Sequence, residues 1–323
     1  MRRLKLSAAL GDYDITRPIL DGSVRPQGVD LVSTVAASPQ RHWRMLKHAE
    51  FDVCEMSMGS YVARRSRRMD DLTAVPVFPH RRFRHGYLFV GRDSAVVDPA
   101  DLVGGAIGLR SWQTTAGIWL RGILADHHGL PVRKVRWVAQ DTEDVDLGLG
   151  QAIDLSTVEP GAEVPQLCAD GDLDGLIYPE LPSQLAGGGL RRVFTDTKRA
   201  EQDYFRETGI FPIMHVLVIR TALVQRHPWL ARNLWEAFEQ AKQAAMARLR
   251  NPRTVSLAWL TTLQEEERGI LGPDPWEYGL TERNRTVIAT FLRYAYDQGV
   301  AASELAPDNL FPDSVTEDPP AYV

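Results

Sequence analysis

The stretch TGIFPIMHVLVIR (residues 208–220) decides how this chain folds. Its segment from Ile213 to Ile219 is the strongest strand signal in the sequence, an apolar run in which only His215 is polar. An irregular stretch with Pro179, Pro182 and a triple glycine at 187–189 lies upstream. A buried strand after such a crossing indicates that the chain returns there to a sheet begun earlier.

Working outward from that strand, short apolar runs alternate with helical patterns along the chain. This alternation predicts an α/β fold, with a mostly parallel sheet covered by helices. A new unit opens near Asp98-Pro99. The predicted strands are 4–10, 51–54, 75–78, 86–90, 106–109, 135–138 and 176–178. The predicted helices begin at Ser38-Pro39, Ala116, about 163, Pro228, about 254 and the Thr281 cap, and a loose strap follows Ala306.

The composition places the chain among globular proteins. It has 323 residues, 44% of them hydrophobic and 24% charged, and a net charge of -5. A negative net charge disfavours a dedicated nucleic-acid binder, since no large positive field recruits phosphates. Neither the N-terminal run Leu4 to Leu10 nor any later stretch is long enough for a signal sequence or a membrane span. We therefore expect a cytoplasmic protein without nucleic-acid or membrane partners.

The cysteines argue against two further classes of protein. Cys54 and Cys168 are far apart, and neither belongs to a CxxC motif or a Cys/His cluster. A disulfide framework and a zinc site both need more cysteines or closer ligand spacing. We expect both to be small buried residues.

Four segments carry a resemblance to a known family. FDVCEMSMGSY (51–61), AVPVFPHRRFRHG (74–86), DLVGGAIGLRSWQTTAGIWLRGIL (101–124) and TGIFPIMHVLVIR (208–220) resemble the 4,5-dihydroxyphthalate decarboxylase family, and the similarity spans about residues 4–250. The resemblance implies a two-lobed α/β fold of the type II periplasmic-binding-protein kind with an interlobe cleft. It places 1–91 and 215–323 in a discontinuous first lobe, 92–204 in an inserted second lobe and 205–214 in a crossing segment.

Two stretches depart from the family pattern. The family tends to have an acidic-aromatic pair where this sequence has Ser111-Trp112. The stretch DTEDVDLGLGQAIDLSTVEP (141–160) is also not matched. Both concern the choice of substrate rather than the fold.

The resemblance implies cofactor-independent decarboxylation of a hydroxylated aromatic (di)carboxylate, with 4,5-dihydroxyphthalate converted to protocatechuate or a close analogue. Such a reaction needs a proton donor for the carbon that loses carbon dioxide, cations for the remaining carboxylate and a cleft that excludes water. No cofactor is expected, although His85, His215 and Glu55 could converge on a divalent ion. A homo-oligomer is also left open.

Arginines are the natural anchors for carboxylates, because a guanidinium gives two parallel hydrogen bonds. Arg17 lies in a loop after the first strand, where anion binding and solvation are equally good interpretations. In an extended segment, Arg82 and Arg84 would share one side with Arg81 opposite. Arg121, in mid-helix, fits an exposed residue better.

The SWQTT loop (111–115) lies between a strand and a helix, where a helix dipole favours an anion. Gln113, Thr114 and Thr115 are therefore predicted to bind substrate, although Thr114 could simply cap the helix. The rings that could stack on an aromatic substrate, or could equally be hinge packing, are Tyr13, Trp112 and Phe211.

Histidine is the natural proton donor near neutral pH. His215 and His85 both occupy family-like segments near the predicted crossings, although a lone histidine in an apolar strand is often a core residue. Glu55 and Ser57 could orient a histidine or a ring hydroxyl, and Glu55 is the alternative acid if burial raises its pKa. The remaining histidines look like surface or helix-end residues, with His80 the best alternative.

Two other functions stay open at this level. A cytoplasmic solute-binding or sensing protein for a small aromatic or carboxylate anion would need cations and stacking groups but no proton donor. An enzyme of another reaction could use the same fold, since fold alone does not decide function. The two histidines and the arginine-rich 81–84 segment favour the decarboxylase.

Overall fold

A computed structural model describes residues 3–315 of the chain. The strands are β1 (Leu4–Leu10), β2 (Val29–Val35), β3 (Val53–Ser57), β4 (Leu72–Val75), β5 (Leu88–Gly91), β6 (Ala106–Leu109), β7 (Arg136–Ala139), β8 (Leu155–Thr157), β9 (Gly175–Ile177), β10 (Leu190–Arg192) and β11 (His215–Arg220). The helices are α1 (Arg17–Leu20), α2 (Ser38–His48), α3 (Met58–Ser66), α4 (Thr115–His127), α5 (Val164–Asp170), α6 (Ser183–Ala186), α7 (Thr197–Thr208), α8 (Thr221–Arg226), α9 (Leu230–Leu249), α10 (Leu260–Leu271) and α11 (Glu282–Asp297).

Within the described residues the strands form two sheets. The first has the order β2-β1-β3-β11-β4, and the second has the order β10-β5-β9-β6-β7-β8. In the first sheet β1 pairs in parallel with β2 and β3, whereas β11 runs antiparallel to β3 and β4. The late strand β11 therefore enters the sheet of the N-terminal strands, with His215 directly opposite Ser57.

The sheets agree with one expectation and correct another. Each sheet is mostly parallel, as expected, with a single reversed strand: β11 in the first and β5 in the second. Strand β5, which we placed in the first lobe by setting its limit at residue 91, pairs with β9 and β10 of the second sheet. The first crossing segment is therefore 76–87, between β4 and β5.

The second crossing segment is also shorter than expected. Helix α7 continues to Thr208, so only residues 209–214 connect it to β11. The two crossing segments are joined by a bridge between Arg81 and Ile213 and by a hydrogen bond of 3.1 Å from the Arg82 N–H to the Pro212 carbonyl. This pairing makes the hinge a short two-stranded connection between the sheets.

The helix that follows β6 is anchored near its start and in its middle. Thr114 is the residue before its first turn, but its hydroxyl donates to the Ser111 carbonyl instead of capping the helix. Trp119 anchors the middle by donating its ring N–H to the Ile213 carbonyl at 2.8 Å. Helix α4 thus connects the second sheet to the crossing strand, which places its first turn at the cleft.

The end of the chain is more firmly attached than a loose strap. Residues 307–315 pack on the core, where the Tyr61 hydroxyl donates to the Leu310 carbonyl at 2.6 Å and Phe311 contacts the ring of Phe78. The remainder of the predicted strap, 316–323, lies outside the described residues. Cys54 and Cys168 are buried and free, as expected. None of the helices within 3–315 has the length and apolar character needed to cross a membrane.

Candidate active site

A cleft of about 640 Å³ opens between the two sheets. Its walls come from the residues that follow β1, β2, β3, β6, β7 and β9 and from both crossing segments. The side chains that line it and enter the argument below are Tyr13, Ser38, His42, Ser57, His80, Arg84, Arg110, Gln113, Thr114, Thr115, Asp141, Asp144, Glu180, Met214 and His215. Carboxyl ends of parallel strands meet at this edge of each sheet, which is where ligands bind in open α/β folds.

At the base of the cleft lies a buried pair of ionisable groups. The Nδ1 atom of His215 is 2.5 Å from Oε1 of Glu55. These side chains meet because β11 and β3 are hydrogen-bonded neighbours. Glu55 is fully buried, whereas His215 lines the cleft. Glu55 therefore reaches the cleft through the side chains bound to it, and the Nε2 atom of His215 is left for contacts on the cleft side.

The Glu55 carboxylate receives three further polar contacts. Arg41 approaches Oε1 at 2.5 Å, the Tyr13 hydroxyl donates to Oε1 at 2.8 Å, and the Gly11 N–H donates to Oε2 at 2.7 Å. Burial alone would raise the pKa of Glu55, but His215, Arg41 and the Gly11 N–H together hold it far below its ordinary value. Glu55 is thus held as a carboxylate, which argues against it as the alternative proton donor considered above.

Gly11 is required by this arrangement. The Tyr13 ring folds back over residue 11, and a Cβ atom there would collide with it. Burial, followed by the charge of Glu55, raises the pKa of the Tyr13 hydroxyl well above its usual value, so it remains a hydrogen-bond donor. The predicted aromatic residue of the first loop therefore lines the cleft and also supports Glu55.

On its cleft side, His215 faces a serine and two more histidines. The Ser38 hydroxyl lies 3.5 Å from Nε2 of both His215 and His42. The His42 and His80 rings contact the His215 ring, with centroids 5.0 and 4.8 Å away. Burial lowers the pKa of all three imidazoles, and for His215 the hydrogen bond and charge of Glu55 oppose that effect. Burial therefore favours the neutral form of these rings, and the hydrogen bond to Glu55 favours the protonated form of His215.

Arg84 supplies the cleft with a cation that has no acid partner. Its Nε and one terminal nitrogen lie 3.1 and 2.8 Å from the Met214 sulfur, and the other nitrogen donates to the Pro179 carbonyl at 3.0 Å. None of the carboxylates in 3–315 lies within salt-bridge distance of it. Burial lowers its pKa to about 10, so it stays charged at neutral pH. A buried guanidinium without a counter-ion is a strong site for an anionic ligand.

The SWQTT loop and the start of α4 form the opposite wall. The Thr115 hydroxyl lies 2.8 Å from the Ser57 hydroxyl and accepts the Gly59 N–H at 2.9 Å. These bonds join the two sheets' loops across the cleft. The backbone N–H groups of the first turn of α4 have no acceptor within the helix. This wall therefore offers hydroxyls and N–H donors to an anion.

The stretch 141–160, unmatched to the family, holds that loop in place. Glu143 accepts the N–H groups of Trp112 and Gln113 at 2.5 and 2.8 Å, and the Gln113 side chain accepts the Val145 N–H at 3.1 Å. An acidic side chain thus lies beside Ser111-Trp112 after all, contributed by a different part of the chain. Its two N–H contacts determine where Gln113 lies in the cleft.

The mouth of the cleft is charged. Arg110 pairs with Asp141 at 2.9 Å and lies 3.7 Å from Glu180, and Asp144 lines the same region. Burial raises the pKa of Asp144, although Gln113 opposes this through a hydrogen bond. Acidic groups at the mouth and Arg84 at the base give the cleft two chemically different ends.

The structure brings together most of the predicted site residues. Those that line the cleft or contact a lining residue are His215, Glu55, Ser57, Arg84, Gln113, Thr114, Thr115 and Tyr13. His80, the alternative histidine, also lines the cleft.

Five predicted residues do not line the cleft. His85 lies in a short 3₁₀ turn, where its ring packs against Phe194 and Tyr204. Arg17 is exposed and pairs with Asp12. Trp112 is fully buried beneath Arg121.

Arg82 and Phe211 face a second cavity. The alternation argument failed here because residues 81–87 do not form a regular strand: Arg84 faces the cleft while Arg81 and Arg82 do not. Arg121 is also buried rather than exposed, since its guanidinium stacks 3.7 Å above Trp112.

Sequence reasoning missed Ser38, Arg41 and His42, although one signal could have found them. They lie in the first turn of α2, directly after the parallel strand β2. The helix begins at Ser38 as predicted, but Ala37 is its N-cap residue and the Ser38 hydroxyl faces the histidines. Helices that follow parallel strands begin at the same edge of the sheet. The argument that placed SWQTT (111–115) at the anion site therefore also applies to SPQRH (38–42).

The three residues that could have converged on a divalent ion are not brought together, because His85 packs among aromatic rings and does not line the cleft with His215. Across residues 3–315, no group of three or more His, Cys, Asp or Glu side chains is arranged to hold a metal ion.

Solved structures with the same fold include binding proteins and an enzyme. The periplasmic aliphatic sulphonate binding protein SsuA from Escherichia coli aligns with a TM-score of 0.56 at 12% identity, covering 98% of this chain and 99% of its own. The desulfurization enzyme DSZB aligns with a TM-score of 0.55 at 17% identity, covering 97% of this chain and 98% of its own. These similarities confirm the two-lobed periplasmic-binding-protein-like fold.

Sequence relatives confirm the resemblance stated above. No family model matches the chain. It is 32% identical over 214 residues to the 4,5-dihydroxyphthalate decarboxylase of Pseudomonas putida, covering 64% of this chain and 83% of the relative. It is 35% identical over 321 residues to the enzyme of that name from Comamonas testosteroni, covering 96% of this chain and 97% of the relative. With this identity along nearly the whole length of both chains, the protein belongs to the 4,5-dihydroxyphthalate decarboxylase family.

Proposed function

We propose that this protein is a carbon–carbon lyase that removes one carboxylate from a hydroxylated aromatic dicarboxylate, most specifically converting 4,5-dihydroxyphthalate to protocatechuate. The observation that carries the proposal is the pairing, in one cleft, of an uncompensated cation with a buried acid–base pair: Arg84 on one side and His215 with Glu55 on the other. A protein that only bound the anion would need the first feature but not the second. The names of the family relatives support the same reaction.

The chemistry balances with a single proton. Breaking the bond between ring and carboxylate releases carbon dioxide, and the ring carbon takes a proton in its place. In 4,5-dihydroxyphthalate either carboxylate has a hydroxyl para to it, which feeds electron density to the carbon that is protonated. The reaction needs no electron transfer, so a proton donor and an anion anchor are sufficient.

We assign the proton to Nε2 of His215. Glu55, held as a carboxylate, accepts the hydrogen bond from Nδ1 and keeps Nε2 directed at the cleft. Burial lowers the pKa of His215, which makes its protonated form a stronger acid. Ser38, half-buried beside Nε2, offers the ring a hydroxyl through which a proton can return after each turnover.

We assign the carboxylate that stays on the ring to Arg84. Its guanidinium can exchange its contact with the Met214 sulfur for a stronger, charge-assisted bond to a carboxylate. The hydroxyls of Ser57 and Thr115 and the first turn of α4 supply further donors. The acidic mouth of the cleft, with Asp141 and Asp144, fits the ring hydroxyls better than a second carboxylate.

The test is incubation of the purified protein with 4,5-dihydroxyphthalate. We expect equal amounts of carbon dioxide and protocatechuate, and His215→Asn as control should retain binding of the substrate while forming both products at least about a hundredfold more slowly. Saturable binding of the substrate without release of carbon dioxide would establish the binding or sensing protein instead.

Three expectations remain predictions. We propose that the reaction needs no cofactor or divalent ion, which dialysis against a chelator before the assay would test. We also propose a cytoplasmic location, to be tested by cell fractionation. Whether the protein forms a homo-oligomer is to be tested by measuring its molecular mass in solution.

A further inference from the structure

A second cavity, which we call the hinge cavity, lies against the crossing segments and shares no lining residue with the cleft. Its volume is about 700 Å³. The residues that line it and enter the argument are Arg82, Phe83, Gly86, Tyr87, Arg192, Asp196, Lys198, Glu201, Phe211 and Trp276. Neighbouring residues of the crossing segments therefore face different cavities: His80 and Arg84 face the cleft, while Arg82 and Phe83 face the hinge cavity.

One wall of the hinge cavity is aromatic. Phe211 packs against Phe83, with ring centroids 4.8 Å apart, and against Trp276 in an edge-on contact at 5.4 Å. Phe211 is nearly buried, whereas Phe83 and Trp276 are partly exposed to the cavity. Rings arranged in this way offer both a face and edges to another aromatic ring.

Two arginines at the cavity have no acidic partner. Arg82 donates to the Tyr87 hydroxyl at 2.9 Å, and Arg192 donates to the Gly86 carbonyl at 3.1 Å. Within residues 3–315, neither guanidinium lies within 4 Å of a carboxylate, unlike Lys198, which pairs with Glu266. Each guanidinium uses only some of its N–H groups in hydrogen bonds to neutral acceptors. The remaining N–H groups can bind a carboxylate.

The acidic groups of the cavity are already engaged or weakly charged. Asp196 accepts the Arg199 N–H at the start of α7, at 3.1 Å. Glu201 lies 3.4 Å from the Gly86 N–H, and burial raises its pKa to about 7. Near neutral pH a large share of Glu201 is therefore uncharged, so the positive charges of Arg82 and Arg192 outweigh the negative charge that remains on Asp196 and Glu201.

We propose that the hinge cavity is a second binding site, for an aromatic monocarboxylate whose ring packs on Phe211 and Trp276 and whose carboxylate bridges Arg82 and Arg192. Trp276 belongs to the part of the chain after β11, whereas Arg192 lies on β10 of the second sheet. A ligand there contacts both sides of the hinge. Its binding therefore affects how the two sheets move relative to each other, and with that the opening of the cleft.

The test uses 4-azidobenzoate as a photoreactive probe, with benzoate as the competitor. After irradiation and proteolysis, we expect label on Trp276 or on residues 195–201, and an excess of benzoate should remove it. Labelling confined to peptides of the cleft, such as 38–43 and 110–116, would overturn the second site, and so would the absence of specific label. The readout needs no turnover, so it does not depend on the proposed decarboxylase activity.

The matched variants separate the site from general charge effects. Arg82→Gln with Arg192→Gln should lower the labelling at least tenfold, because the carboxylate loses both guanidiniums. Arg199→Gln removes the same charge from an exposed residue of α7 that does not line the cavity, and should leave the labelling unchanged. Equal labelling of the double variant and the wild type would refute the assignment. Each single variant gives the same comparison should the double variant fail to fold.

Discussion

At the scale of single residues, His215, the proposed proton donor, and His85 differ in their surroundings. His215 and His85 both come from family-like segments with arginines or apolar residues nearby. His215 has a carboxylate on one nitrogen and the cleft on the other. Both nitrogens of His85 are buried without a hydrogen-bond partner, and aromatic rings surround it. His215 and His85 are the same residue type, so their different surroundings are what distinguish the candidate proton donor from the buried histidine.

We therefore expect the two histidines to respond differently to substitution. His215→Asn should lower kcat by about a hundred- to ten-thousandfold with little change in KM, since a general acid acts in the transition state. His85→Phe should keep kcat near that of the wild type. Steady-state kinetics with 4,5-dihydroxyphthalate measures both variants. A wild-type kcat in His215→Asn would show that another residue of the cleft is the proton donor.

The arginines allow a similar comparison. Arg84→Lys keeps a positive charge but loses the planar fork, and a hydrogen bond to a charged group is worth about 1.5–3 kcal/mol. We expect KM to rise at least tenfold in Arg84→Lys. Arg82→Lys, at a residue outside the cleft, should leave KM unchanged. Isothermal titration with phthalate, which lacks the activating hydroxyls, checks the same difference without turnover.

At the scale of elements, the start of α3 and the start of α4 meet across the cleft. Gly59 makes this possible, because a Cβ atom there would collide with the carbonyl oxygen of Gln113. The Gly59 N–H instead donates to the Thr115 hydroxyl at 2.9 Å. The first turns of α3 and α4, which follow strands of different sheets, can thus approach closely because residue 59 has no Cβ atom.

Gly59→Ala should push the SWQTT loop away from α3 and break the bond between Ser57 and Thr115. We expect kcat/KM to fall at least tenfold and the free energy of unfolding to fall by about 1–3 kcal/mol. Gly269→Ala is the control, because a Cβ at this position in α10 meets nothing within 4 Å. That variant should retain full activity and gain up to about 1 kcal/mol from the better helix former. Equal activity of the two variants would show that the loop adjusts without cost.

At the scale of the whole molecule, buried histidines should make the fold sensitive to acid. Burial lowers the pKa of His85 to about 3, and it also lowers the pKa values of His42 and His80. A histidine kept neutral in the fold takes up a proton on unfolding once the pH is below its unfolded pKa of about 6.5. The contribution to stability is thus complete above pH 6.5 and is lost as the pH falls from there towards the folded pKa.

His85→Phe should weaken this dependence. Each such histidine steepens the loss of stability by up to about 1.4 kcal/mol per pH unit. Without the imidazole, the denaturation midpoint should fall less between pH 6.5 and pH 4, and it should be no lower than that of the wild type at pH 7, because two unpartnered nitrogens are removed. His48→Gln, at an exposed position, is the control. Parallel pH profiles of His85→Phe and the wild type would contradict the buried, neutral state.

The sequence by itself determined the alternation of strands and helices, the family, and the segments that supply the cleft. These features depend on local patterns, each contained in a short segment of the chain. Examples are the apolar run that ends at Ile219, the loop SWQTT and the family-like segment 74–86. Strand β6 agrees to the residue with the expected 106–109, and α5 and α11 agree to within about two residues.

Only the tertiary structure decided which of the candidate side chains meet. Glu55 and His215 are separated by 160 positions and become partners through the pairing of β3 with β11. Arg84 and Arg82, two positions apart, face different cavities because the crossing segment is irregular. Residue type and spacing indicate the local backbone conformation. Outside regular strands, however, the direction of a side chain depends on contacts with distant parts of the chain. The charge state of a buried group depends on such contacts as well.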